Sequence, residues 1–192
     1  NVFSNGLDTR TRGLDIVLNF ATATGQDSGI DWTFAANFNQ TRVTHIRPTP
    51  IELSASGQSL FDRVAISTLE TASPRWRLTG SAQWRSGPWS VRLRETFYGP
   101  SSRYQDPGDG NLYLDKAGAK LITDLEATRN LGAWTSVSVG ADNLFNTFPN
   151  RVSAAALAAS AAAGNPAVEV YPAFSPWGLG GGFYYVKLRR SF

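Results

Sequence analysis

The stretch Arg75–Arg85, RWRLTGSAQWR, decides how this chain folds. Read with a period of two, Trp76, Leu78, Gly80, Ala82 and Trp84 share one side, and Arg75, Arg77, Thr79, Ser81, Gln83 and Arg85 share the other. Successive side chains of a strand point to opposite faces. The stretch therefore predicts a long strand, apolar on one face and polar on the other, with a tryptophan near each end of the apolar face. On a tilted strand rising about 3.3 Å per residue, those tryptophans stand roughly 20 Å apart along the normal to a membrane. That separation suits two interfacial aromatic girdles.

The same alternation recurs outward in both directions. Leu14, Ile16, Leu18 and Phe20 oppose Gly13, Asp15, Val17 and Asn19. Trp32, Phe34, Ala36 and Phe38 oppose Asp31, Thr33, Asn37 and Asn39. Val91 and Leu93 oppose Arg92 and Arg94, with Glu95 on the apolar side unless a bulge shifts the register. Further on, Leu121, Thr123, Leu125 and Ala127 oppose Asp124, Glu126 and Thr128, and Val137, Val139 and Ala141 oppose Ser136, Ser138 and Asp142. The last segment sets Tyr184, Val186, Leu188 and Phe192 against Tyr185, Lys187, Arg189 and Ser191.

These patterns predict antiparallel strands near 10–22, 30–45, 73–86, 88–98, 118–130, 133–145 and 181–192. They exceed the five or six residues usual in soluble sheets and match the roughly 9–11 needed to cross a bilayer at a tilt. Short connections (TGQDSG, RSGP, NLGA) alternate with long ones at 46–73, 99–117 and 148–179. Outer-membrane barrels have this asymmetry of short periplasmic turns and long external loops. The tract SAAALAASAAAGN has the propensity for a short helix but too little bulk to bury much, and reads as part of an external loop. The expected fold class is all-β, a segment of an antiparallel transmembrane β-barrel with about seven long strands. Its apolar face holds Ile16, Leu18, Phe34, Leu78, Leu93, Val139 and Leu188.

Composition agrees with this class and removes others. A chain of 192 residues that is 42% hydrophobic and 12% aromatic can build an ordered domain. No apolar run approaches the roughly 20 residues of a membrane-spanning helix. The net charge of +3 is spread along strand-like segments rather than gathered into a patch, which argues against nucleic acid. There is no cysteine and no methionine, which excludes disulfides and thiolate metal sites and marks Asn1 as the start of a processed or truncated chain.

Candidate chemistry is sparse. His45 is the only histidine, so no transition-metal site is expected. Asp106, Asp109, Asn111 and Asp115 loosely resemble a Ca²⁺ loop but lack the EF-hand Gly and bidentate Glu, and an Asx-rich loop is the plainer reading. Gly178–Gly182 precedes a strand and has no following Lys, which suits a bend rather than a phosphate cradle. No G-x-S-x-G elbow is present, so no enzyme, no catalytic residue and no cofactor is expected. On the polar face, Arg75, Arg77, Arg92, Arg94 and Arg189 are placed to pair with carboxylates such as Asp124 or Glu126, or to meet an anionic ligand.

Three segments carry a family resemblance. GADNLFNTFPNR resembles the V-D-N-L-F-N/D-x-Y-P segment near the end of TonB-dependent outer-membrane receptors. YPAFSPWGLGGGFYYVKLRRSF is similar to their closing segment, and GLDTRTRGLDIVLNF to a recurrent T-R-T-R/Q-G-V/L-D strand. The matches lie in the family's order, with Phe148, Trp177 and Gly180 departing from the usual Tyr, Phe and Asn. The resemblance implies that residues 1–192 form the C-terminal portion of such a barrel, about a third of its roughly 22 strands, cut within an external loop around residues 1–8. The plug and the TonB-contacting segment belong to the missing N-terminal part. It further implies a bacterial outer-membrane location, TonB-coupled uptake of a small nutrient such as siderophore-iron, cobalamin or sugar, and lumen-facing roles for Arg75, Arg77, Arg92, Arg94, Asp124 and Glu126. Tyr104, Tyr113, Tyr171, Phe174 and Trp177 become candidate ligand contacts in the external loops. Tyr184, Val186, Leu188 and Phe192 become a barrel-insertion signal, with Arg190 a departure. The expected partners are outer-membrane lipid, the rest of the barrel and plug, TonB, and a small ligand. Two readings stay open beside this one: a small self-contained barrel acting as passive channel or adhesin, and a soluble β-sandwich that binds carbohydrate.

Overall fold

The computed structural model describes residues 6–48, 61–165 and 170–191. Seven strands form one antiparallel sheet in chain order: β1 (Leu7–Gly25), β2 (Ser28–Ile46), β3 (Trp76–Ser86), β4 (Trp89–Tyr98), β7 (Lys120–Asn130), β8 (Thr135–Asp142) and β9 (Phe183–Arg190). A separate hairpin joins β5 (Ser101–Gln105) to β6 (Tyr113–Ala117). The tight connections at Gln26–Asp27, Gly87–Pro88 and Leu131–Trp134 all lie at one end of the sheet, here the turn end, and the three long connections leave from the other, the loop end. β1 and β9 are the sheet's two edges and do not pair with each other, so the sheet is open.

The register places the alternating residues as the pattern predicts. One row across the apolar face reads Leu18, Phe34, Gly80, Glu95 and Thr123, and another reads Phe20, Trp32, Ala82, Leu93, Leu125, Ala141 and Tyr184. The pairing of β4 with β3 and β7 runs without a bulge, so Glu95 stays on the apolar face. Both of its carboxylate oxygens lie within 3.0 Å of Thr123 Oγ1, which donates to them. The large residues of this face are open, with Ile16 at 52% exposure, Val139 at 57% and Leu188 at 71%. A side chain of this kind left in water forgoes about 1.5–3 kcal/mol of transfer energy. The helix Arg63–Glu70 contacts β2, while the large apolar side chains across the rest of the face stay open. Ring pairs brace it near both ends: Trp76 stacks on Phe97 at 4.7 Å at the loop end, and Phe20 on Trp32 at 6.2 Å toward the turn end.

The long connections are more ordered than their composition suggests. Residues 46–73 hold α1 (Arg63–Glu70), capped by Asp62 accepting from the Ala65 N–H. Residues 99–117 hold the β5–β6 hairpin, and residues 148–179 hold α2 (Ala154–Ala162), capped by Ser153. All three lie within the connections read as long external loops, and α2 falls in the tract whose propensity suits a short helix. Short alternations such as SSRYQ and YLDKA are too brief to register as strands until they are brought opposite each other. β1 and β2 run further than predicted, and β8 stops at Asp142 because the chain turns there. No described helix is long and apolar enough to cross a membrane.

Candidate functional site

The polar face is a lattice of cross-strand pairs. Asn37 donates to Asp15 and Thr33 to Asn19, which tie β1 to β2, and Arg85 pairs with Asp31 between β3 and β2. Arg94 on β4 meets Asp124 on β7 at 2.8 Å. Arg92 lies 3.7 Å from Glu126, which also receives Lys187 at 2.8 Å and the Tyr185 hydroxyl at 2.9 Å. The arginines are about half exposed while their carboxylate partners are mostly covered, so each pair contributes on the order of 0.2–1 kcal/mol and the network fixes register more than it adds stability. Arg77 differs: its guanidinium stacks over the Tyr98 ring at 5.1 Å. Arg75 precedes β3 and has no described carboxylate partner.

The motif NLFN makes a corner at the loop end. Asn143 and Asn146 both take left-handed backbone, each with φ of 54°. Asparagine tolerates that region because its short amide bonds the nearby backbone. Asn143 brackets Thr147, donating to its carbonyl at 2.9 Å and accepting from its N–H at 2.8 Å. The Asn143 N–H donates to Asp124 at 2.8 Å, the Leu144 N–H to the Thr123 carbonyl, and the Gly182 N–H to Asn146 Oδ1 at 2.9 Å. Asn150 accepts from the Gly118 N–H at 3.0 Å. The amide-rich cluster thus joins β7, the entry to β9 and the end of the β5–β6 hairpin where the β8 ladder stops.

Above the corner the long connections lock together. Glu70 of α1 accepts from the Val43 N–H at 2.7 Å, covering the part of β2 that overhangs β3. Ser67 accepts from the Tyr104 N–H at 3.0 Å, and Arg63 both donates to the Tyr104 hydroxyl and stacks over its ring at 4.4 Å. Tyr113 donates to Asp109 at 2.8 Å at the hairpin tip, where Asp106 accepts from the N–H groups of Gly108 and Gly110. Asp109 also accepts from the Asn111 side-chain amide and N–H; these bonds, then the one from Tyr113, hold its carboxyl below the usual aspartate range, and the bond to Asp109 pushes the Tyr113 phenol up. Tyr171 stacks on Phe148 at 5.3 Å, Phe174 lies under the Arg103 guanidinium at 5.3 Å, and Trp177 tilts against Tyr98 at 5.6 Å. Tyr104 and Phe174 therefore join different connections, Trp177 reaches β4, and Tyr113 and Tyr171 brace their own connections.

Four buried side-chain atoms lack a partner among the described residues: Ser101 Oγ, Arg103 Nε, Asp115 Oδ1 and Trp177 Nε1. All four belong to this loop assembly. Burial pushes the Asp115 carboxyl up, against the pull of Arg103 opposite it. No three His, Cys, Asp or Glu side chains gather into a metal-ligand set among the described residues.

Tyr184, Val186 and Leu188 share the open apolar face of edge strand β9, at 61%, 75% and 71% exposure. Phe192 lies outside the described residues. Sequence reading placed Tyr185 and Lys187 on the polar face without seeing that both reach Glu126. The signal was Gly140, whose bare backbone lets Tyr185 lie across β8: a Cβ there would stand 2.5 Å from the Tyr185 ring. No protein-family model matches the chain, and no curated protein matches it.

Proposed function

We propose that this chain is the closing part of the wall of a TonB-dependent outer-membrane receptor, with its apolar face against lipid, its polar face toward the lumen and its long loops outside the cell. The observation that carries the reading is the apolar face itself. It runs over all seven strands of the sheet, interrupted at Glu95 and Thr123, is braced by aromatics near both ends, and leaves most of its large apolar side chains open. Lipid is the medium in which such a face costs nothing, while strands whose backbone groups pair laterally leave only the edges unsatisfied. The open edges of β1 and β9 would be met by the remaining strands of a larger barrel. The NLFN corner and the closing strand are the segments on which the family resemblance rests.

In this account the ordered loop assembly captures a small nutrient, and its unpaired buried donors and acceptors are where bonds to that ligand would form. A barrel of this size needs a plug, so passage requires energy, which the family draws through TonB from the proton-motive force of the inner membrane. The test is growth of a knockout on single sources of iron, cobalamin or carbon, repeated in a strain without TonB. Loss of growth on one source in both strains is expected. Uptake that persists without TonB would replace the active transporter by a passive channel.

A further inference from the structure

We propose that the overhang of β1 and β2 docks a lipid with a phosphomonoester headgroup, through Arg10, Arg12 and Arg42 on the apolar side of the sheet. The proposal rests on the membrane reading of that side. β3 begins at Trp76, opposite Phe38, and β1 and β2 run on past it toward the loop end. The last apolar row before the overhang is Leu14, Phe38 and Trp76. The next row on the same side pairs Arg12 with Gln40, and the one after pairs Arg10 with Arg42. At about 3.4 Å per residue, on a strand tilted by about 40°, these rows stand roughly 5 and 10 Å above the apolar one. That is the layer of lipid headgroups over a hydrocarbon core.

Like charges directly opposite each other on one face weaken a strand pair. Arg10 and Arg42 stand that way. Arg42 is further drawn to the row of the third arginine: its Nε and Nη2 lie 3.1 Å from the Gln40 amide oxygen, and Gln40 is directly opposite Arg12. All three arginines are exposed, and no ion pair among the described residues includes them. Asp8, the nearest acid along β1, lies beyond the register shift at Asp8/Thr9. The other side of the sheet differs, since Arg85, Arg92, Arg94 and Lys187 all have carboxylate partners there. An anion with several acceptor oxygens, seated among the three guanidinium groups, relieves their repulsion. A phosphomonoester is such a group, and guanidinium binds it with paired hydrogen bonds.

The boundary below the arginines makes the occupant a lipid rather than a free anion. A hollow of about 340 Å³ at the step where β3 begins has Arg12 and Gln40 in its lining together with Leu14, Phe38 and Trp76. Polar and apolar residues thus border one space, which continues into the open apolar face. A headgroup among the arginines with an acyl chain along Leu14 and Phe38 matches both. The turn end of the same face has no such cluster. Arg129 lies over the Trp89 ring at 5.1 Å, and its partners across the sheet are Trp89 and Val137 rather than a second cation.

The experiment uses the full-length protein in uncharged maltoside micelles doped with phosphatidic acid or with phosphatidylcholine of the same acyl chains. Native mass spectrometry counts the lipid that stays bound. Phosphatidic acid should be retained in preference to phosphatidylcholine. The preference should fall about tenfold or more when Arg10→Gln, Arg12→Gln and Arg42→Gln are combined. The corresponding three lysine substitutions should keep most of it, and Arg129→Gln should leave it unchanged. If the triple glutamine variant loses its native circular dichroism, Arg42→Gln alone reports the loss. Equal retention of the two lipids by the parent, an undiminished preference in the glutamine variants, or displacement of the lipid by inorganic phosphate would overturn the proposal. Oxygen accessibility of spin labels at Val139 and Ser138 reports the membrane reading separately. Alternation there, with no preference for phosphatidic acid, removes the headgroup site alone.

Discussion

The Tyr185 hydroxyl reaches Glu126 at 2.9 Å across the bare backbone of Gly140, linking β9 to β7 over the strand between them. Gly140 is thus part of the polar network although it has no side chain. Gly140→Ala should drive the ring away and cost about 1–3 kcal/mol, the value of a hydrogen bond to a charged group. Tyr185→Phe should cost a similar amount, and the two changes together should cost little more than either alone. Denaturant unfolding of the four proteins of that cycle measures the coupling. Additive losses would mean that the contact carries no energy.

The corner makes a different demand. Because Asn143 holds φ of 54° and brackets Thr147, Asn143→Gly should lose only the amide bonds, while Asn143→Ala loses them and adds backbone strain. We expect cleavage by a protease within residues 144–152 to rise in the order parent, Gly variant, Ala variant. Equal cleavage of all three would show that the corner is held by its neighbours instead.

The hairpin tip should loosen at both extremes of pH, by protonation of Asp109 in acid and by deprotonation of Tyr113 in alkali. Asp109 is lowered in the fold by its bonds to Asn111, so its contribution is complete above the unfolded value of about 3.9 and is lost as pH falls through the lower folded value. Tyr113 is raised by its bond to Asp109, so its contribution is complete below about 10 and fades as pH rises from there toward the folded value. Amide exchange at Gly110 and Asn111, corrected for its intrinsic pH dependence, should show protection between these limits. In Asp109→Asn the acid limb should disappear.

Glu95 distinguishes the two sides of a lipid boundary. It stands on the apolar face among Phe34, Leu93 and Phe97, and its one hydrogen-bond partner among the described residues is Thr123. In lipid, Glu95→Leu should stabilise the protein by about 1–2 kcal/mol, since an acidic residue on a barrel's outer face is destabilising. Unfolding in lipid bilayers measures this. An unchanged stability would mean that the face sees water.

The long strands and their two faces were legible in the sequence because a period of two survives any tertiary arrangement of a sheet. Arg94 with Asp124, and Arg92 with Glu126, were legible as candidate pairs once the polar face was known. The cap was not. Arg63 and Tyr104 are 41 positions apart and meet only because α1 and β5 come from different loops, which no local pattern encodes. The turn chemistry of Asp106 and Asp109 was recognised, but not that it closes a hairpin. Gly140 carried a readable signal, a glycine inside a strand, whose meaning required knowing which side chain lay over it.

The central claim is that Val139 faces lipid while Ser138 does not. The chain has no cysteine, so single cysteines at Leu18, Leu93, Val139 and Val186, and at Asn19, Arg92, Ser138 and Lys187, can each carry a spin label in the full-length protein reconstituted into bilayers. Relaxation by oxygen, which concentrates in lipid, is compared with relaxation by a water-soluble nickel chelate. The account predicts high oxygen and low nickel accessibility at the first four positions and lower oxygen accessibility at the second four, alternating residue by residue. Nickel accessibility at Val139 and Leu93 equal to that at Ser138 and Arg92, or low accessibility to both reagents at the first four, would contradict it.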